Sequence, residues 1–157
     1  LKRKHQAFYN EKIGLLPLQK PIILSEDTPL NKAIKEMQKC DTGCVLIKNG
    51  ERRLIGIFTE RDVMKKFIGT SLDPKTPIRE VMTSDPVILS PDATVQETIQ
   101  FLGEKQIRHL PIGINTERIV GLLSVRVLVD FLADHMPEEI LNLPPDTTVL
   151  PRYTDGG

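Results

Sequence analysis

The sequence predicts an α+β fold of two tandem β-α-β-β-α units packed as one pseudo-twofold module. Three observations predict it: a gapless internal repeat, apolar patterns that switch between the period of strands and that of helices, and turn or capping residues at the switches. Pro21-Ile-Ile-Leu-Ser-Glu-Asp27 returns 65 residues later as Pro86-Val-Ile-Leu-Ser-Pro-Asp92. The same offset carries Ile34 onto Ile99, Ile47 onto Ile112, Arg53 onto Arg118, Gly56 onto Gly121, Thr59 onto Ser124 and Arg61 onto Arg126.

Each unit opens with a short β-branched and aliphatic run, residues 22–24 or 87–89, bounded by Pro and Ser-x-Asp, which reads as a strand. A helix follows. Asp27 or Thr28 can cap the first, with Pro29 in its first turn, and Thr94-Val-Gln-Glu97 forms a capping box for the second. Leu30, Ile34 and Met37, and correspondingly Val95, Ile99 and Leu102, put an apolar stripe on one face of each helix. Two aliphatic runs come next, residues 44–47 and 54–58, and in the second unit 110–114 and 119–123. Asn49-Gly50 between the first two favours a tight hairpin turn. A second helix ends each unit, over residues 60–68 or 125–134, with Val63, Met64 and Phe67 or Leu128, Phe131 and Leu132 facing inward.

Units of this size bury little on their own, so the two are expected to pack against each other. The expected organisation is an N-terminal extension (1–20), a first motif (21–69), a linker with a short helix starting at Thr76-Pro77 (70–85), a second motif (86–134) and an extended tail (135–157). In that tail Leu141 and Leu143 are apolar and Pro144-Pro145 prevents further helix.

Of the 157 residues, 39% are hydrophobic and 27% charged, as in an ordinary globular protein. Twenty-one basic residues balance twenty-one acidic ones, leaving no net field to gather nucleic acid or an anionic membrane. The basic group Lys2, Arg3, Lys4 and His5 reads as a solvated end. No apolar run approaches the roughly 20 residues of a membrane span, and the first residues lack a signal peptide's apolar core, so a cytoplasmic location is expected. The chain opens at Leu1, which leaves room for further native residues. Cys40 and Cys44 are the two cysteines, and their spacing fits no known zinc pattern, so buried small side chains are expected rather than a metal site.

The doubled order of elements, with Gly56-Ile-Phe-Thr-Glu-Arg-Asp62 at a strand-to-helix junction, resembles the CBS domain family. Pro77-Ile-Arg-Glu-Val-Met-Thr83 followed by Asp85-Pro86-Val87 is similar to the entry into a second CBS motif. The resemblance covers about residues 16–134 and implies a stand-alone CBS pair, or Bateman module. It also implies a regulatory adenine nucleotide (AMP, ADP or ATP, with S-adenosylmethionine as a further candidate) in a cleft between the motifs. Thr59 would lie near ribose and phosphate and Asp62 would hold ribose hydroxyls, with Ile57 and Arg61 beside them. A carboxylate and free N–H groups at a helix start suit these tasks, although Thr59-Glu-Arg-Asp62 is equally a capping box. The other unit would complete the cleft through Ala93 and Thr98 and through Ile107-Arg-His-Leu-Pro111, where Arg108 and His109 would meet phosphates and Ile107, Leu110 and Pro111 would wall the base.

The second junction, Gly121-Leu-Leu-Ser-Val-Arg-Val127, departs from the pattern. Ser124 keeps the hydroxyl, but Val127 stands where the Asp should be. A weaker or unused second site is therefore expected around Ser124, Arg126, Thr28, Gly43 and Cys44. A homodimer through helix faces that include Val63, Phe67, Leu128 or Phe131 is expected, with an effector protein that the sequence does not name. The rival reading is a ligand-free interaction module. A catalytic reading would rest on Cys44 with His109, unsupported by any oxyanion-hole, phosphate-loop or metal signature, so no enzyme activity is expected.

Overall fold

The computed structural model describes residues 7–135, and the sequence repeat becomes a repeat of architecture. In the first unit β1 (Ile23–Ser25) runs parallel to β2 (Cys44–Lys48), β2 is antiparallel to β3 (Leu54–Thr59), and a short β4 (Thr83–Ser84) closes the sheet in the order β1-β2-β3-β4. Helix α1 (Leu30–Lys39) crosses from β1 to β2. Helix α2 follows β3 as an α-turn over Glu60–Asp62 continued by a π-turn over Val63–Phe67. The second unit contains α3 (Val95–Lys105), the antiparallel pair β5 (His109–Gly113) and β6 (Ile119–Ser124), and α4 (Val125–His135).

The strand expected at residues 87–89 shrinks to one parallel bridge, Leu89 with Ile112. In the first unit the Leu46 N–H donates to Ile22 O at 2.8 Å. The repeat places Pro111 at that position, and proline has no N–H to give. The ladder loses the bond that would hold residue 87, and Val87 is left half-exposed.

The outer edge of each sheet is closed from outside its own strand-to-helix run. The linker supplies β4 to the first unit, and Gln19, from ahead of the first unit, pairs with Leu122 of the second through two backbone bonds of 2.9 Å. The same crossing recurs at the helix starts. Ile13 N–H donates to Ala93 O at 2.9 Å as Ile78 N–H donates to Thr28 O at 2.8 Å; Val95 N–H reaches Glu11 O at 2.8 Å as Leu30 N–H reaches Thr76 O at 2.9 Å. Two short 3₁₀ turns, Ile13–Leu15 and Ile78–Glu80, sit at these equivalent places, so the pseudo-symmetry begins at Ile13.

Backbone carbonyls of a crossing segment thus serve the first free N–H groups of α1, whose N-cap is Pro29 with no side-chain bond. Neither Asp27 nor Thr28 caps it, contrary to expectation. The box on α3 forms as the sequence indicates, with Thr94 Oγ1 accepting from Glu97 N at 3.2 Å and Glu97 Oε2 accepting from Thr94 N at 2.8 Å. The first hairpin turn also differs: it spans Asn49 to Arg53, with Asn49 Oδ1 accepting from the N–H groups of Glu51 and Arg53, and the left-handed residue is Arg52 (φ 62°), not Gly50. Capture of two N–H groups by one asparagine side chain stabilises this longer loop.

Strand alternation sorts the core into layers. Val45, Ile47 and Phe58 pack with Leu30, Ala33 and Met37 of α1 and with Ile78 and Val81 of the linker. Leu110, Ile112 and Leu123 pack with Val95, Leu102 and Leu128 and with Phe8, Ile13 and Leu16 from the start of the described chain. The opposite faces meet in a third cluster in which Leu122 joins Cys44, Leu46, Leu54 and Ile57. That cluster fastens the units together, each fully buried aliphatic side chain contributing about 1.5–3 kcal/mol.

On the second helices of the units, Leu128 is core, Phe131 and Leu132 pack against the second unit's cluster, and Val63 and Phe67 against the first unit's. Met64, expected to face inward, is instead 64% exposed, as is its repeat mate Val129 at 54%. The four residues named for a dimer face are thus largely engaged inside the protomer. The tail with Leu141 and Leu143 and the basic group at Lys2 to His5 lie outside the described residues. Among the described residues no helix is long and apolar enough to cross a membrane.

Candidate functional site

A cavity of about 420 Å³ opens at the β3–α2 junction, where the first unit faces the start of β5. Ile57, Thr59, Arg61 and Asp62 line it from the first unit, and Ile107, Arg108 and His109 from the second. These seven were singled out from the sequence, and the fold brings them together. Ala93, Thr98, Leu110 and Pro111 do not line it. Thr98 is fully buried, its Oγ1 donating to Thr94 O at 2.8 Å within α3. Leu110 belongs to the core, Pro111 is buried, and Ala93 packs against the same core while its carbonyl serves Ile13. A strand buried on both faces turns only its first residues toward a cleft at its end.

Five further residues complete the wall: Gly43, Glu60, Met64, Thr83 and Gln106. Glu60 lies inside the junction motif, between Thr59 and Arg61. Thr83 enters through β4, a pairing across the linker that no local pattern announces. Gln106 is the C-cap of α3 in the left-handed conformation (φ 52°), which turns the chain toward Ile107.

Asp62 is 8% exposed and already well supplied with partners. Its Oδ2 accepts from Thr59 N at 2.9 Å and from Thr59 Oγ1 at 3.1 Å, and its own N–H donates to Thr59 Oγ1 at 3.3 Å. Lys66 Nζ bridges Asp62 Oδ1 at 2.9 Å and Val81 O at 2.7 Å. The capping box is therefore formed, and it holds the carboxylate rigidly at the cavity wall. A carboxylate offers about four acceptor directions, so room remains for a hydroxyl donor.

Gly43, assigned from sequence to the second site, lines this cavity instead. A β-carbon there would stand 2.8 Å from His109 Nε2 and 3.4 Å from Glu60 Oε2, so glycine is what lets the imidazole lie against β2. Burial and the nearby Arg108 charge lower the pKa of His109, while Glu60 opposes them; burial is the largest of the three and the net direction is down. Cys44 is fully buried, and burial, aided by the Glu60 charge, pushes its thiol up to about 12. It stays protonated near neutrality and is no nucleophile there.

The second junction is built differently. Ser124 Oγ accepts from Val127 N at 3.2 Å, a one-way cap without a carboxylate. Leu18 crosses where Thr83 crosses the first sheet, lying against Gly121. Arg126 is exposed, Thr28 gives its carbonyl to Ile78, and Cys44 is sealed in the inter-unit core.

The sequence profile described as the CBS domain matches residues 13–69 and again 78–134, limits that coincide with the structural repeat starting at Ile13. An uncharacterised 17.7 kDa protein of Acidianus ambivalens is 27% identical over 123 residues, covering 78% of this chain and 74% of that one. The CBS domain-containing protein CBSCBSPB5 of Arabidopsis thaliana is 32% identical over 119 residues, which are 75% of this chain and 22% of that longer protein. Among solved structures, the CBS domain pair of protein MJ0100 in complex with 5′-methylthioadenosine and S-adenosyl-L-methionine superposes with a TM-score of 0.71 at 19% identity, over 80% of this chain and 98% of that one.

Proposed function

This chain belongs to the CBS domain family, and we propose that it is a regulatory module whose cavity at the β3–α2 junction binds an adenosyl ligand, with AMP, ADP and ATP the preferred class. The observation that carries the reading is the wall itself. A buried, oriented carboxylate at Asp62 and a hydroxyl at Thr59 share the wall with Arg108 and His109 and with the apolar side chains of Ile57 and Ile107. That is one acceptor group for ribose hydroxyls, a cation and an imidazole for phosphate, and aliphatic walls for a base. A cavity of about 420 Å³ lies within the range of small-molecule sites. The adenosyl ligands of the MJ0100 pair support the class.

Binding shifts the two units, or two copies of the chain, toward the arrangement that holds the ligand better, and a partner reads the change. The shift can be no larger than the ligand's difference in affinity between the arrangements. Met64 and Val129, exposed at equivalent places on α2 and α4, favour a homodimer with paired helix faces. They equally support a module that dimerises without any ligand.

Calorimetric titration with AMP, ADP, ATP, S-adenosylmethionine and 5′-methylthioadenosine tests the reading. Binding at one site per chain is expected, about tenfold to a hundredfold weaker in Asp62→Asn, the range for hydrogen bonds to a charged group. The asparagine keeps one acceptor for the Thr59 cap, and circular dichroism checks that the fold survives. No heat with any of the five, from folded protein freed of co-purified ligand by unfolding and refolding, would leave the dimerisation module as the function.

A further inference from the structure

His109 occupies an unusual setting. It opens β5 at the rim of the cavity, half-buried, with its ring against the bare backbone of Gly43 and on the side from which Glu60 Oε2 also approaches. The charged groups around it come from two elements. Arg108 precedes it in the chain, and Glu60, Arg61 and Asp62 line the cavity from α2. Asp62 is bound by Thr59 and Lys66, which leaves Glu60 as the main anion favouring a charged ring. The Cys44 thiol is uncharged near neutrality. Burial and Arg108 together outweigh Glu60, so the ring is neutral in the free protein near pH 7.

A phosphate changes that balance. A phosphate monoester brings about −1.5 to −2 charge near pH 7, and in a partly desolvated cavity such a charge acts more strongly than in water. We propose that His109 is a proton-coupled specificity residue: it takes up a proton from solvent when a phosphate-bearing adenosyl ligand binds and remains neutral when an uncharged adenosyl ligand binds. This rests on the adenosyl reading of the cavity and refines it. The proton arrives on an imidazole ring nitrogen, and no covalent bond to the ligand forms or breaks. Because the ring's pKa is higher in the phosphate-bound state than in the free one, binding consumes protons and affinity rises as pH falls. The site thereby prefers phosphorylated ligands most in a mildly acidified compartment.

The experiment is calorimetric titration of the full chain with AMP and with adenosine at pH 6, 7 and 8, each in two buffers of different ionisation heat. Proton uptake with AMP and a gain of about tenfold in affinity from pH 8 to pH 6 are expected, one pKa unit being one decade. Adenosine should show neither. In His109→Gln, AMP should bind with only the proton change that its own phosphate contributes, a release beside the Arg groups of the wall, and the rise in affinity toward pH 6 should vanish. Equal uptake by wild type and His109→Gln overturns the proposal, as does uptake that survives there but disappears in Glu60→Gln. Adenosine and AMP binding with no proton uptake overturns it while leaving the adenosyl site standing. No binding of either overturns both.

Discussion

The two strand-to-helix junctions share a backbone design and differ in two acids, Glu60 and Asp62 of the first being Val125 and Val127 in the second. At the first, Thr59 and Asp62 cap α2 reciprocally and Lys66 locks the carboxylate in place. At the second, Ser124 caps α4 alone and Val127 fills the acid's position. Both helices start at the same place relative to their strands, with Glu60 N bonded to Gly43 O at 3.0 Å and Val125 N bonded to Arg108 O at 2.9 Å. The comparison teaches that the acid is not needed to begin a helix here. Its presence at one junction alone is better explained by what the cavity wall must offer.

The comparison breaks most readily at Asp62. Asp62→Val, which gives the first junction the valine of the second, should cost about 2–3 kcal/mol, because Thr59 loses its acceptor and Lys66 the carboxylate it pairs with. Ser124→Ala should cost only about 1 kcal/mol, the usual value of a single cap. Urea denaturation of the two variants checks the order, and equal losses would mean that the junctions are energetically alike.

The crossing glycines sharpen the contrast. A β-carbon at Gly121 would stand 2.7 Å from Leu18 Cβ, whereas one at Gly56 would strike Met82 Sδ, part of a longer and more adaptable side chain. Gly121→Ala is therefore expected to cost about 2 kcal/mol and Gly56→Ala about 1 kcal/mol, within the range for overpacking, read from thermal midpoints of the two variants.

The smallest effect concerns the capping box on α3. Backbone and side-chain hydrogen bonds from Thr94 hold the Glu97 carboxyl below its ordinary value. A lowered folded pKa gives stability that is present above the unfolded value and is lost as pH falls through the folded one. A carboxyl titration by NMR should show Glu97 moving part of the way back up in Thr94→Ala, which keeps the backbone N–H bond and loses the hydroxyl, and no movement would deny the hydroxyl its share.

Much of this was legible in the sequence, and the exceptions share a cause. The repeat and the helix stripes are local patterns read along the chain, and the seven cavity residues follow from the family resemblance that those patterns carry. The loss of the strand at residues 87–89 was written in Pro111, but on the partner strand, where a reading of residues 87–89 alone does not look. Thr83 and Gly43 enter the cavity through pairings between distant segments. Helical periodicity alone puts Met64 inward, yet Met64 and its repeat mate Val129, which sits on the regular helix α4, are both exposed, so the apolar stripe of each second helix is narrower than its apolar residues suggest. Ala93, Thr98, Leu110 and Pro111 were chosen by resemblance, and the core claims them first.

The crossed edges of the two sheets also bear on how the chain emerges from the ribosome. The first unit can close its sheet as soon as Thr83 and Ser84 are made, since β4 lies just downstream. The second unit must reach back to Gln19, a segment synthesised before everything it will pair with. A clip or deletion between Glu11 and Gln19 would therefore injure the half of the protein farther away in the chain, stripping β6 of its edge and α3 of the carbonyl that serves Val95 N–H while the neighbouring unit keeps its own.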